Sequence, residues 1–181
     1  MRIIAGTRKS RIIKALPNQN TRPTLDVVKE ACFASIGPWI EAKYVLDLFA
    51  GSGNIGLEAL SRGAKHTVFV DGSKDACQII QENINSLEFN TSSTLLRMDA
   101  FQACRYLKNK QMVFDLIYLD PPYEKVALSK VLKALEPLNH MDSLIIYECL
   151  KDEDVLLPEG YTLDKTNIYG RIALYFIRRT S

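Results

Sequence analysis

From about residue 40 onward the chain alternates short apolar runs with stretches of helical periodicity, and that alternation leaves few folds open to it. Strands are predicted at residues 44–49, 67–70, 94–98, 114–119 and 144–147. Helices are predicted at residues 54–61, from 74 to about 87, at 101–107 and at 126–135. Gly63 is a natural stop for the first of these helices, Ser73 a cap for the second, and Pro137 an end for the last. Residues 161–169 and 171–178 flank Gly170 and read as a closing hairpin. Strands separated by helices require right-handed crossovers, so the expected fold class is α/β. Its sheet is parallel and doubly wound, and the final hairpin adds antiparallel strands.

Residues 2–5 and 11–16 are expected to pair as a small hairpin around residues 6–10. Thr21-Arg22-Pro23-Thr24 then opens a helix with Leu25, Val28, Cys32 and Ile36 as its apolar stripe, and Gly37-Pro38 ends it. With 181 residues, the chain is read as one domain: an extension over residues 1–40 and a core over 41–181. No run approaches the ~20 apolar residues of a membrane span, and no signal-peptide core follows the N-terminus, so a cytoplasmic protein is expected.

Cys32, Cys77, Cys104 and Cys149 form no CxxC pair and read as buried, reduced thiols. His66 and His140 have no partner at ligand spacing. No metal site and no Ser-His or Cys-His nucleophile is expected. Net charge is only +2, but Arg2, Arg8, Lys9, Arg11, Lys14 and Arg22 fall within the first 25 residues, which hold no acid. A basic arm on a slightly acidic body is expected to meet a polyanion, so these six are candidate polyanion contacts.

In parallel sheets ligands bind beyond the carboxyl ends of the strands. Asp47 is placed within the first strand, while Asp71, Asp99 and Asp120 are placed at the ends of the next three. Residues 47–56 run from a strand through a glycine turn into a helix. Gly51, Gly53 and Gly56 also satisfy dinucleotide spacing, with Asp71 where a ribose-binding acid belongs. That loop alone does not separate a nicotinamide oxidoreductase from a methyltransferase. The acids favour S-adenosylmethionine: Asp47 suits its ammonium, Asp71 its ribose hydroxyls and Asp99 its adenine amine. The candidate cofactor residues are Asp47, Phe49, Gly51, Ser52, Gly53, Asp71, Gly72, Asp99 and Ala100.

Asp120-Pro121-Pro122-Tyr123 is the most specific motif. Its two prolines fix φ and remove two backbone donors, so the Asp120 carboxylate and Pro121 carbonyl are held together as acceptors. Tyr123 offers a flat face for a base. Two acceptors gripping both N–H bonds of an aromatic exocyclic amine free the nitrogen lone pair, and Asp120 steadies the developing positive charge. The four residues are the candidate catalytic group, acting on a single-stranded, looped or flipped base.

These residues resemble the RsmD-type 16S ribosomal RNA (guanine-N2)-methyltransferases along nearly the whole chain. The likeness runs from Met1-Arg2-Ile3-Ile4-Ala5-Gly6 and Thr21-Arg22-Pro23-Thr24, before Asp26, Val28-Lys29-Glu30 and Phe33, through Leu46-Asp47-Leu48-Phe49-Ala50-Gly51-Ser52-Gly53 and Gly56-Leu57-Glu58-Ala59-Leu60-Ser61-Arg62-Gly63-Ala64 to Asp120-Pro121-Pro122-Tyr123. It implies that the basic arm, with Arg2, Arg8, Lys9, Arg11, Lys14 and Arg22, contacts RNA. The resemblance implies a Rossmann-like fold with a mostly parallel seven-stranded sheet. It also implies S-adenosylmethionine as methyl donor, 16S rRNA in an assembled or partly assembled small subunit as partner, and N2-methylguanine as product. Ala5 and the Lys9-Ser10-Arg11 run depart from the family's usual glycine and Arg-Gly-Arg, and Asp71 stands where a glutamate is common. Competing expectations are an amino-methyltransferase of adenine N6, cytosine N4 or a protein glutamine, an NAD(P)-dependent oxidoreductase, and a silent RNA-binding scaffold.

Overall fold

A computed structural model describes residues 1–17, 23–122 and 126–180. The elements in chain order are α1 (Pro23–Ile36), β1 (Tyr44–Asp47), α2 (Asn54–Ser61), β2 (His66–Asp71), α3 (Lys74–Ser86), β3 (Ser93–Arg97), α4 (Ala100–Asn109), β4 (Phe114–Leu119), α5 (Leu128–Leu135), β5 (Asn139–Leu150), β6 (Tyr161–Tyr169) and β7 (Ile172–Arg179). The strands form one seven-stranded sheet in the order β3-β2-β1-β4-β5-β7-β6. β1 to β5 run parallel, and β7 pairs antiparallel with β5 and with β6. The order reverses between β1 and β4, the place where an open α/β sheet leaves a crevice. This is the Rossmann-like arrangement expected, closing hairpin included.

Side chains alternate across the pleat and so divide the core in two. Val45, Phe69, Leu116 and Ile146 pack toward Val28, Phe33, Leu57 and Ile80 of α1, α2 and α3, and Ile3 and Ile13 of the N-terminal arm join that layer. Leu46, Val68, Ile117 and Ile145 pack toward Ala103, Leu107, Val131 and Leu132 of α4 and α5 on the other face. Gly56 shows how closely α2 sits on β2. A Cβ there would lie 2.3 Å from Phe69 Cε1 and 2.7 Å from Thr67 Cγ2.

Some boundaries differ from expectation. β5 extends three residues past Tyr147, because β7 pairs with it as far as Leu150↔Ile172. The β7 strand begins at Ile172, leaving Arg171 in the turn with Gly170. The N-terminal hairpin reduces to one antiparallel bridge, Arg2↔Ile12, flanked by backbone bonds from Ile3 N to Arg11 O and Ile13 N to Met1 O. All four cysteines are buried and unpaired. No described helix is long and apolar enough to cross a membrane, and no described group of His, Cys, Asp and Glu could hold a metal.

Candidate active site

Because β1 to β5 are parallel, their carboxyl ends share one edge of the sheet. The glycine loop leaves β1 at this edge and the Asp-Pro-Pro turn leaves β4 beside it. The two strands are direct neighbours, with Asp47 opposite Tyr118, and Leu48 N donates to Tyr118 O at 3.1 Å.

The loop is held by the acid of the next strand. Asp71 accepts from Gly51 N through Oδ2 at 2.9 Å and from Ser73 N through Oδ1 at 2.8 Å. Gly53 sits at φ 79°, a left-handed conformation that suits glycine, and forms the N-cap of α2. The first N–H groups of α2 lack intrahelical acceptors, as at any helix start, and open toward the same edge. Ser52 is buried in the loop, and its carbonyl accepts from Asn83 Nδ2 at 3.0 Å. Phe49 is partly buried against the α4–α5 side of the core. Gly72 lies in the bend after β2, where a Cβ would meet only Met98 O at 3.9 Å.

Two acids stand differently from expectation. β1 stops at Asp47, so this residue closes the strand instead of lying inside it. β3 stops at Arg97, two residues before Asp99. Asp99 instead starts a helix: its Oδ1 accepts from Phe101 N at 2.9 Å and Gln102 N at 3.3 Å, capping α4, of which Ala100 is the first, buried residue. Aspartate is favoured at that position because it satisfies otherwise orphaned N–H groups.

On β4 and β5 the alternation has a chemical consequence. Residues 116, 118 and 120 share a face, as do 144, 146 and 148, and both sets point to the α1–α3 side. Tyr118, Asp120 and Glu148 therefore converge with Asp47. The Tyr118 hydroxyl donates to Glu148 Oε2. Asp47 is buried, and its Oδ2 accepts from Gly56 N at 3.0 Å. Burial, opposed by that hydrogen bond and reinforced by Asp71 and Glu148, raises its pKa to about 7. Asp120 keeps accessible surface, yet the protein packed around it, and then Glu148 and Asp47, push its carboxyl well above the usual range. Glu148 is raised by burial as well, against the opposing bond from Tyr118. The result is a recess of three close carboxyl groups that hinder one another's ionisation, a setting that favours a positively charged occupant.

Pro121 is buried and Pro122 exposed. Tyr123, the last residue of the candidate catalytic motif, lies outside the described residues, as does Arg22 of the basic arm.

The arm itself reaches the site through buried polar groups that sequence reasoning missed. Glu58 of α2 accepts from Ile4 N at 2.8 Å, Ala5 N at 3.1 Å and Arg62 Nε at 2.7 Å. Lys29 of α1 lies 3.4 Å from Glu58 and donates to Arg2 O and to Asn54 Oδ1, the first residue of α2. Asn83 bonds both Lys14 and the loop carbonyl of Ser52. The signal for Glu58 was present, since a carboxylate stands there in an otherwise apolar helical run. Nothing local marks Lys29 or Asn83.

Residues 1–178 match the family model described as "Conserved hypothetical protein 95". The chain belongs to that family, the RsmD-type family of the sequence resemblance. YlbH of Bacillus subtilis, provisionally named an rRNA methyltransferase, is 40% identical, covering 97% of this chain and 98% of its own length. Ribosomal RNA small subunit methyltransferase D of Haemophilus influenzae is 32% identical over 96% of this chain and 91% of its own. A solved Haemophilus influenzae structure, provisionally described as a methylase, superposes with a TM-score of 0.80 at 30% identity, covering 99% of this chain and 98% of its own.

Proposed function

We propose that this chain transfers a methyl group from S-adenosylmethionine to the exocyclic N2 amine of a guanine in small-subunit ribosomal RNA. The observation that carries this reading is the convergence of Asp47, Asp120 and Glu148 on one edge beside the glycine loop. The relatives' names point the same way.

S-adenosylmethionine supplies an electrophilic methyl on a positively charged sulfur when bound. The donor set fits it: a glycine loop opening into a helix N-terminus, Asp71 free to accept on its remaining lone pairs, and an acidic recess for cationic groups. Asp47 and the loop residues Phe49, Gly51, Ser52 and Gly53 would hold the amino-acid end. Asp71 and Gly72 would hold the ribose, and Asp99 and Ala100 the adenine, with Asp99 using the oxygen that does not cap α4. Asp120 and the Pro121 carbonyl would grip the two N–H bonds of the target amine, Pro122 would stiffen the turn, and Tyr123 would stack on the base. With the cofactor's positive charge offsetting its acidic neighbours, Asp120 would stand as the carboxylate and accept the proton that the nitrogen must lose.

The test is methyl transfer from labelled cofactor to naked small-subunit rRNA, isolated small subunits and DNA in parallel, followed by nucleoside analysis. N2-methylguanine in RNA is the expected product. Label in adenine, cytosine or protein would overturn the target, and no transfer to any of them would overturn the activity.

A further inference from the structure

The strand-end edge is acidic. Asp47, Asp71, Asp120 and Glu148 all stand there with Asp99 close by, so an RNA backbone following its base into the site meets acidic side chains and must be gripped elsewhere. Three of the arm's five described cations are already engaged. Arg8 donates to Leu87 O at 2.8 Å and pairs with Glu88, Arg11 donates to Ser86 O at 2.7 Å, and Lys14 pairs with Glu82 at 2.7 Å. These contacts fasten the arm to the C-terminal end of α3, where cations are favoured by the helix dipole.

The opposite face of the sheet differs. A cavity of about 520 Å³ opens between α4 and α5, lined by Arg105, Lys108, Lys133 and Arg179 against a single acid, Glu136. Arg179 donates to the Glu136 carbonyl at 3.0 Å. Arg105, Lys108 and Lys133 are exposed, and no described side chain forms an ion pair or hydrogen bond with any of them. The groove begins at Phe101, in the first turn of α4 at the strand-end edge. It ends at Arg179, which lies at the other edge because β7 runs antiparallel to β5. Along α4 it runs from Phe101 to Lys108, about 10 Å of helix.

We infer that this groove binds the phosphate backbone of the RNA that carries the target base, independently of sequence. The inference rests on the proposed RNA substrate. Guanidinium and ammonium groups without internal partners, lining a concave path from the reaction edge, are what phosphate oxygens require. The groove thereby separates grip from chemistry: the base enters an acidic recess while its backbone lies on a basic one.

The experiment compares wild type with R105Q/K108Q/K133Q, and with the charge-preserving R105K/K108R/K133R, for binding to naked small-subunit rRNA over a range of salt. The neutral variant is expected to bind about tenfold more weakly and to lose about 2–3 from the slope of log affinity against log salt. Its turnover at saturating RNA should match wild type, with KM raised, and the charge-preserving variant should behave as wild type. Matching thermal melts of all three proteins establish that folding is unchanged. If wild type methylates rRNA and the neutral variant equals it in affinity and salt slope, the groove assignment is overturned and the substrate assignment stands. If wild type binds RNA through the groove but methylates another target, the substrate assignment falls and the groove stands. A wild type that binds no RNA overturns both.

Discussion

Two kinds of acid lie at or near one edge of this sheet. Asp71, Asp99 and Glu58 are compensated: Asp71 holds Gly51 and Ser73, Asp99 caps α4, and Glu58 gathers two backbone amides, Arg62 and Lys29. Asp47, Asp120 and Glu148 are crowded together with few donors, and burial pushes all three upward in pKa. The same residue types thus do opposite things. The first group fixes backbone, and the second is crowded so that full ionisation is costly until a cationic ligand offsets it. Perturbed carboxylates of that kind concentrate at functional sites.

The largest expected effect separates the two groups by chemistry. Asp120→Ala should lower turnover at least about hundredfold, the scale of losing one preorganised electrostatic contact, while cofactor affinity stays within a few-fold. Asp71→Ala should instead weaken cofactor binding, because it frees Gly51 as well as removing an acceptor. Stopped-time methyl transfer and calorimetric cofactor titration read the two parameters. If both variants moved the same parameter, the division would be meaningless.

A smaller effect concerns stability. Glu58→Ala takes from buried Lys29 its buried carboxylate partner, leaving Asp26 at 3.8 Å, and leaves two arm amides without an acceptor. The expected cost is about 3–5 kcal/mol in urea unfolding. A change below ~1 kcal/mol would mean that the arm is not fastened through this group.

The smallest is a slope. Asp47 titrates near 7 when folded and near ~3.9 when unfolded. Between those values the folded protein binds the extra proton, so stability falls as pH rises from about 4 to 7 and then levels. Asp47→Asn keeps an acceptor for Gly56 and removes this loss. Its unfolding midpoint, relative to wild type, should rise across that window and hold above it. Parallel curves would show Asp47 to be as well compensated as Glu58.

Much of the frame was legible in the sequence. The helix at residues 54–61 and the strands at 114–119 and 161–169 follow from periods of 3.6 and 2 with glycine and proline stops, all of them local signals. The glycine loop and the Asp-Pro-Pro turn were legible for the same reason. Asp99, expected at a strand end, shows the limit: whether it finishes β3 or starts α4 depends on which backbone groups need an acceptor.

The sequence by itself determined the order of elements, the α/β class and the motifs at β1 and β4, because hydrophobic period and turn chemistry act over a few residues. Only the tertiary structure decided which charges neutralise one another. Glu148, remote in sequence from Asp47, became its neighbour through the pairing of β1, β4 and β5. The arm's cations met α3, and those of α4 and α5 were left facing solvent. Electrostatic environment is set by distance in space and by the water excluded there, and neither is written along the chain.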